Sequence, residues 1–134
     1  MPQANRILVV DDHREFGDFV QRVAAKAGFE VSVATSGAEF KDVYHAVQPS
    51  IVCLDIVMPT EDGIELMNWL AAERSRAAIY IITGHSPSFA RAAVAIGRSR
   101  GLNIVGVLQK PVSLDALRNI LKAARDGTDM VAAD

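Results

Sequence analysis

Short apolar runs and amphipathic helical stripes alternate along this chain, five of each, and that alternation leaves few folds open. The apolar runs cover residues 7–10, 30–34, 51–54, 79–83 and 104–108. Four are continuous and rich in Val and Ile, as in parallel strands covered on both faces. The run at 30–34 alternates polar and apolar residues and reads as an edge strand. Between and after the runs, apolar residues recur at helical spacing. The first stripe is Phe16, Phe19, Val20, Val23, Ala24 and Ala27, with Gly28 where a left-handed helix terminus belongs. The second is Phe40, Val43, Tyr44 and Val47, opened by Ser36 and Glu39 at capping-box spacing and closed by Pro49. Ile64, Met67 and Leu70 form the third, with Asp62 and Glu65 as its box. Phe89, Ala92, Ala93 and Ile96 form the fourth. Leu114, Leu117, Ile120, Leu121 and Ala124 form the fifth, opened by Ser113 and ended by Gly127.

Strict strand–helix alternation implies a parallel sheet with helices on both faces. Right-handed crossovers prune the topologies further. The expected fold is α/β, a flavodoxin-like doubly wound sheet of five parallel strands in order 2-1-3-4-5 with five helices. The 134 residues suit one domain, over 1–127, with residues 128–134 as a flexible tail. Half of the residues are apolar and 22% are charged, a composition that builds a real core. The net charge is −2 with acids and bases interspersed, which argues against direct contact with nucleic acid. No apolar run reaches the ~20 residues that span a bilayer. Residues 1–6 lack a signal-peptide pattern, and the single Cys53 excludes an internal disulfide, so a cytoplasmic place is expected.

In such a sheet, sites form beyond the carboxyl ends of the strands, near the reversal of strand order. Strand one ends in Asp11 and Asp12, strand three in Asp55, strand four in Thr83 and Gly84, and strand five in Lys110 followed by Pro111. Three carboxylates would meet in one shallow pocket. Two like charges ~4 Å apart repel by about 4 kcal/mol at an effective dielectric near 20. Lys110 offers one compensating charge, and a hard divalent cation with oxygen ligands, Mg²⁺ or Mn²⁺, offers the rest. A carboxylate beside such an ion, a lysine and a hydroxyl is equipped to attack phosphorus, because phosphoryl transfer rests on positioning and charge neutralisation. Asp55 is the best nucleophile, standing alone at the central strand end. Asp11 and Asp12 suit holding the metal.

These same residues resemble response-regulator receiver domains of two-component signalling, of the chemotaxis-regulator kind. The matching motifs are Ile-Leu-Val-Val-Asp-Asp at 7–12, Leu-Asp-Ile-Val-Met-Pro at 54–59, Asp62-Gly63, Ile82-Thr83-Gly84 and Lys110-Pro111. They occur in family order and span roughly residues 6–125. The resemblance implies that Asp55 is the phosphoacceptor. It implies that Asp12, Asp55 and the Val57 backbone carbonyl bind the metal directly and Asp11 largely through water. Lys110 would pair with Asp55 at rest and with the phosphoryl group afterwards. Thr83 and the Gly84 N–H would contact that group, and the Lys110–Pro111 bond would be cis. The donor would be a phosphohistidine on a sensor histidine kinase or histidine phosphotransfer protein. An unknown downstream protein would read the result on the fourth helix, fifth strand and fifth helix, a surface that also serves homodimers.

Two departures from the family pattern stand out. Val107 replaces the aromatic residue frequent three positions before the lysine, which removes the usual aromatic switch. Val57 and His85 occupy positions that tune dephosphorylation, and a valine side chain orients no water. The expected role is a signalling switch that catalyses only its own phosphorylation and dephosphorylation. The alternatives are a phosphorylation-independent interaction module and a phosphatase forming an aspartyl phosphate. The second is disfavoured by Val57, where one phosphatase class carries an acid. Replacing Lys110 or Thr83 by Ala is expected to leave folding nearly intact. His13 and His45 read as surface histidines, Cys53 as a small core residue, and Trp69 has no stacking partner apparent in the sequence. The sequence ends soon after the fifth helix, so a stand-alone regulator, a phosphorelay intermediate and a domain of a longer protein all stay open.

Overall fold

The computed structural model describes residues 5–58, 63–84 and 87–125. Its strands are β1 (Arg6–Val10), β2 (Glu30–Ala34), β3 (Ile51–Asp55), β4 (Ala78–Thr83) and β5 (Ile104–Gln109). Its helices are α1 (Arg14–Lys26), α2 (Gly37–Val47), α3 (Gly63–Ala72), α4 (Pro87–Ser99) and α5 (Leu114–Arg125). The strands form one parallel sheet in the order β2-β1-β3-β4-β5. This is the expected topology.

Strand periodicity divides the core in two. Leu8 and Val10, Val52 and Leu54, and Ile79 and Ile81 face one side, where Phe40, Leu66, Met67, Leu70 and Ala93 cover them from α2, α3 and α4. Ile7 and Val9, Ile51 and Cys53, and Tyr80 and Ile82 face the other, against Val20 and Ala24 of α1 and Leu117 and Leu121 of α5. Both faces of the three central strands are therefore dry, which is why these strands read as unbroken apolar runs.

Local signals fix the helix ends. The Ser36 hydroxyl accepts the Glu39 N–H at 3.1 Å. Glu39 Oε1 reaches back one residue further than a standard box and accepts the Thr35 N–H at 2.7 Å. Gly28 has φ +88°, the left-handed conformation that ends α1 and that glycine adopts without steric cost. The Ser113 hydroxyl accepts the Ala116 N–H at 3.0 Å at the start of α5. Asp62 and Gly127 lie outside the described residues, as does the segment 128–134.

Three expectations need correction. The run at 104–108 looked covered on both faces, yet β5 is an edge strand and Val107 is 39% exposed. The buried face of α4 is Ala90, Ala93 and Gly97, whereas Phe89 and Ala92 face outward. The reason is close approach: a Cβ on Gly97 would lie 2.8 Å from Ile104 and 3.1 Å from Met67 Sδ. Small residues let α4 sit against the sheet, and a phenylalanine does not fit that seam. Trp69 does have partners, since its ring meets Tyr44 edge-on at 5.3 Å and Phe40 at 6.0 Å.

Candidate functional site

The sheet order places the ends of β1, β3, β4 and β5 side by side, and backbone bonds tie those ends together. The Asp11 N–H donates to the Ala34 carbonyl at 3.1 Å, so the chain just past β1 stays in register with β2. The Lys110 N–H donates to the Thr83 carbonyl at 2.9 Å, joining the end of β5 to the end of β4. Asp55 is the last residue of β3 and pairs with Ile82. The strand termini thus deliver three carboxylates, a lysine and a threonine to one edge.

Lys110 is the centre of the cluster. Its Nζ lies 2.6 Å from Asp11 Oδ2 and 3.6 Å from Asp55 Oδ2. The same Nζ stands 5.5 Å from the centre of the Phe16 ring on α1, within cation–π range. The expected partner of Lys110 at rest was Asp55, but Asp11 is the closer one. Burial explains this: Asp11 is fully buried and in greatest need of a counter-charge, while Asp55 already accepts the Val57 N–H on Oδ1 at 2.9 Å. Asp11 Oδ1 in turn accepts the His13 N–H at 2.8 Å. Asp12 is partly exposed, but its Oδ1 is buried with no hydrogen-bond partner among the described residues.

Competing influences set the proton affinities. Burial pushes the Asp55 carboxyl upward, the Val57 N–H pulls it down, Asp11 raises it and Lys110 lowers it, and the net shift is upward. For Lys110, burial works against the charged form, but the hydrogen bond and charge of Asp11, aided by Asp55, outweigh it and raise the ammonium. Both shifts describe one balance, a lysine held charged by two buried acids.

Thr83 is buried at the end of β4, so it belongs to the packed interior and not to the surface the sequence suggested. Lys110 neutralises the fully buried Asp11 carboxylate, so its removal is expected to cost stability. Gly84 adjoins the site, and a Cβ there would stand 3.9 Å from Lys110 Cβ. The Lys110–Pro111 bond is cis, as the resemblance implied. The Val57 side chain points outward and its N–H orients Asp55. Val107 lies beside α4 with Ala90 and Val94, apart from the carboxylates. His85 and Pro59 lie outside the described residues.

Two supports of the site leave little mark in the sequence. Gly63 opens α3 against the Asp55–Ile56 backbone, where a Cβ would fall 2.3 Å from Ile56 Cα and 3.0 Å from the Asp55 carbonyl oxygen. Its place in the Asp62-Gly63 motif was the available signal. Phe16 had been assigned only to the α1 core stripe, with nothing to mark its contact with Lys110.

Asp11, Asp12 and His13 bring one ligand atom each within 4.8 Å of one another. An oxygen-rich set with a buried carboxylate oxygen that lacks a hydrogen-bond partner among the described residues fits a divalent cation.

The family model for the response regulator receiver domain matches residues 7–122. The chain belongs to this family. It is 31% identical over 118 residues to the response regulator MprA of Mycolicibacterium vanbaalenii, covering 88% of this chain and 49% of that protein. It is 29% identical over 124 residues to the regulatory protein AtoC of Escherichia coli, covering 92% of this chain and 26% of that protein. The receiver therefore spans half or less of these relatives. A crystal structure of a response regulator from Colwellia psychrerythraea superposes with a TM-score of 0.81 at 26% identity, covering 94% of this chain and all of that one. Receiver domains are signalling switches of two-component systems that bind Mg²⁺ at an acidic pocket. Among the described residues, no helix of this receiver is long and apolar enough to cross a membrane.

Proposed function

We propose that this receiver accepts a phosphoryl group on Asp55 from a phosphohistidine and passes the signal on through protein contacts. The observation that carries the reading is Lys110 Nζ standing between Asp11 and Asp55 at the carboxyl edge of the sheet. Asp55 Oδ2 is the attacking oxygen, since Oδ1 is held by the Val57 N–H and Oδ2 has only the longer, exchangeable contact with Lys110 Nζ at 3.6 Å. Attack by Oδ2 forms an O–P bond while the P–N bond of the donor breaks, its electron pair leaving on the imidazole nitrogen. Asp12, Asp55 and the Val57 carbonyl, with Asp11 nearby, would hold a divalent cation, which when bound would neutralise charge on the phosphoryl oxygens.

The chain's own groups do the remaining work. Lys110 exchanges its share of Asp55 for the incoming phosphoryl oxygens and keeps its bond to Asp11. Thr83, the last residue of the adjacent strand, and the Gly84 N–H after it contact the same oxygens in this reading, which their place next to the Asp55 strand end supports. Because Lys110 and Thr83 are joined by a backbone hydrogen bond, movement of either strand end reaches β5 and the surface it forms with α4 and α5. Val107, half-exposed there, leaves room for a partner's side chain where related receivers carry a ring of their own. The reader of the signal is a protein bound to this face, or a second copy of the receiver. In full-length relatives named as transcriptional regulators, such as GltR of Pseudomonas aeruginosa, that signal bears on transcription.

Incubation with acetyl phosphate and Mg²⁺, read by intact mass, tests the proposal. One added phosphoryl group is expected, and Asp55→Asn abolishes it. An unmodified mass under conditions that label a control receiver contradicts the reading.

A further inference from the structure

His13 is the N-cap residue of α1, yet its side chain makes no capping hydrogen bond. Its backbone N–H is bound to Asp11 Oδ1 at 2.8 Å, and this short turn aims the ring at the two acids before it. Nδ1 lies 3.6 Å from Asp11 Oδ1 and 3.5 Å from Asp12 Oδ1. Those separations exceed a good hydrogen bond, so no proton links the groups well. They approach the spacing of two ligands of one ion, about 3.0–3.4 Å for bonds near 2.1 Å. The oxygen that faces Nδ1 is the buried Oδ1 of Asp12, which has no hydrogen-bond partner among the described residues. The ring is 69% exposed, so an ion and its waters can reach it from solvent.

We infer that His13 is a nitrogen ligand of the ion in the Asp11–Asp12 pocket and gives this receiver a preference for a first-row transition cation over Mg²⁺. The inference rests on the pocket being the metal site of the proposed phosphoacceptor. Mg²⁺ keeps its waters and favours oxygen, and gains little from an imidazole. Imidazole is a preferred ligand of Zn²⁺, Ni²⁺ and their neighbours, and affinity rises along that series for mixed nitrogen–oxygen sites. The N-terminus of α1 disfavours any cation nearby, but it does so for Mg²⁺ and transition ions alike and leaves the preference unchanged.

The test is titration of the full chain with Co²⁺ and with Mg²⁺, followed by calorimetry and by proton NMR of the Co²⁺ form. Wild type, His13→Ala and Asp12→Asn are compared. Wild type is expected to bind Co²⁺ at least about tenfold tighter than Mg²⁺ and to show a strongly shifted, solvent-exchangeable imidazole N–H resonance. His13→Ala loses that resonance and about tenfold or more in Co²⁺ affinity, while its Mg²⁺ affinity stays within about twofold. Asp12→Asn loses both ions, which separates this pocket from binding at other histidines. If His13→Ala keeps wild-type Co²⁺ affinity while Asp12→Asn loses it, the inference is wrong and the phosphoacceptor reading stands. If wild type binds neither ion, the inference and the metal-dependent reading fall together.

Discussion

Asp55 carries a cost that its neighbours only partly offset. Burial raises its carboxyl above the ordinary value of 3.8, so the folded state holds the proton more tightly than the unfolded chain does. Its contribution to stability is therefore present below that ordinary value and lost as pH rises through the raised one. Asp55→Asn removes this loss. In metal-free protein, the variant is expected to melt above wild type at pH 7, with the gain disappearing below about pH 4, measured by calorimetry across that range. Lys110→Ala should act in the opposite sense, because it strands the fully buried Asp11 beside Asp55. A loss of about 2 kcal/mol at neutral pH is expected from urea unfolding, reduced from the value for a fully buried pair because Lys110 is partly exposed. The residue types were legible in the sequence, since acids, a threonine and a lysine end the strands where this topology gathers side chains. The preference of Lys110 for Asp11 was not, because it depends on which carboxylate is driest.

Elements pack by shape as well as by apolar count, and α3 and α4 show this. Gly63 lets the first turn of α3 rest on the Asp55–Ile56 backbone. Gly63→Ala drives a Cβ into main-chain atoms that have no rotamer to change, and about 2 kcal/mol or more of destabilisation is expected. Phe89→Ser on α4 should change stability by less than about 0.5 kcal/mol, since the ring is 40% exposed. Equilibrium denaturation of the two variants side by side separates close approach from hydrophobicity. Helical periodicity found all five helices, yet it assigned Phe89 to the core because hydrophobic spacing cannot tell a roomy face from a tight seam. Ala90, Ala93 and Gly97 were the better guide, as a row of small residues marks where a helix meets a sheet closely. The edge position of β5 was implied by the strand order, though its apolar run concealed it.

At the scale of the whole molecule, two dry layers enclose a sheet whose carboxyl edge carries the polar site. Cys53 samples the interior directly: burial pushes its thiol up to about 12. The native protein is expected to resist iodoacetamide at pH 8 and to be labelled fully once unfolded, as read by mass. Fast labelling without denaturant would mean that the β3 layer opens readily. The same rigid sheet holds Asp11, Asp55, Thr83 and Lys110 in fixed relation, and the hydrogen bond between the ends of β4 and β5 links the site to the α4–β5–α5 face. Alternation and strand-end chemistry made this architecture readable, whereas the ring of Phe16 over Lys110 and the turn that aims His13 arise only when the chain is folded.

The most direct test of the central claim locates the phosphoryl group on the chain. Protein treated with acetyl phosphate and Mg²⁺ is reduced with borohydride, which converts an aspartyl phosphate to an alcohol, and peptides are then mapped by mass spectrometry. The mass change is expected at position 55 and nowhere else. A change at Asp11 or Asp12, or none while a control receiver is labelled, would contradict it.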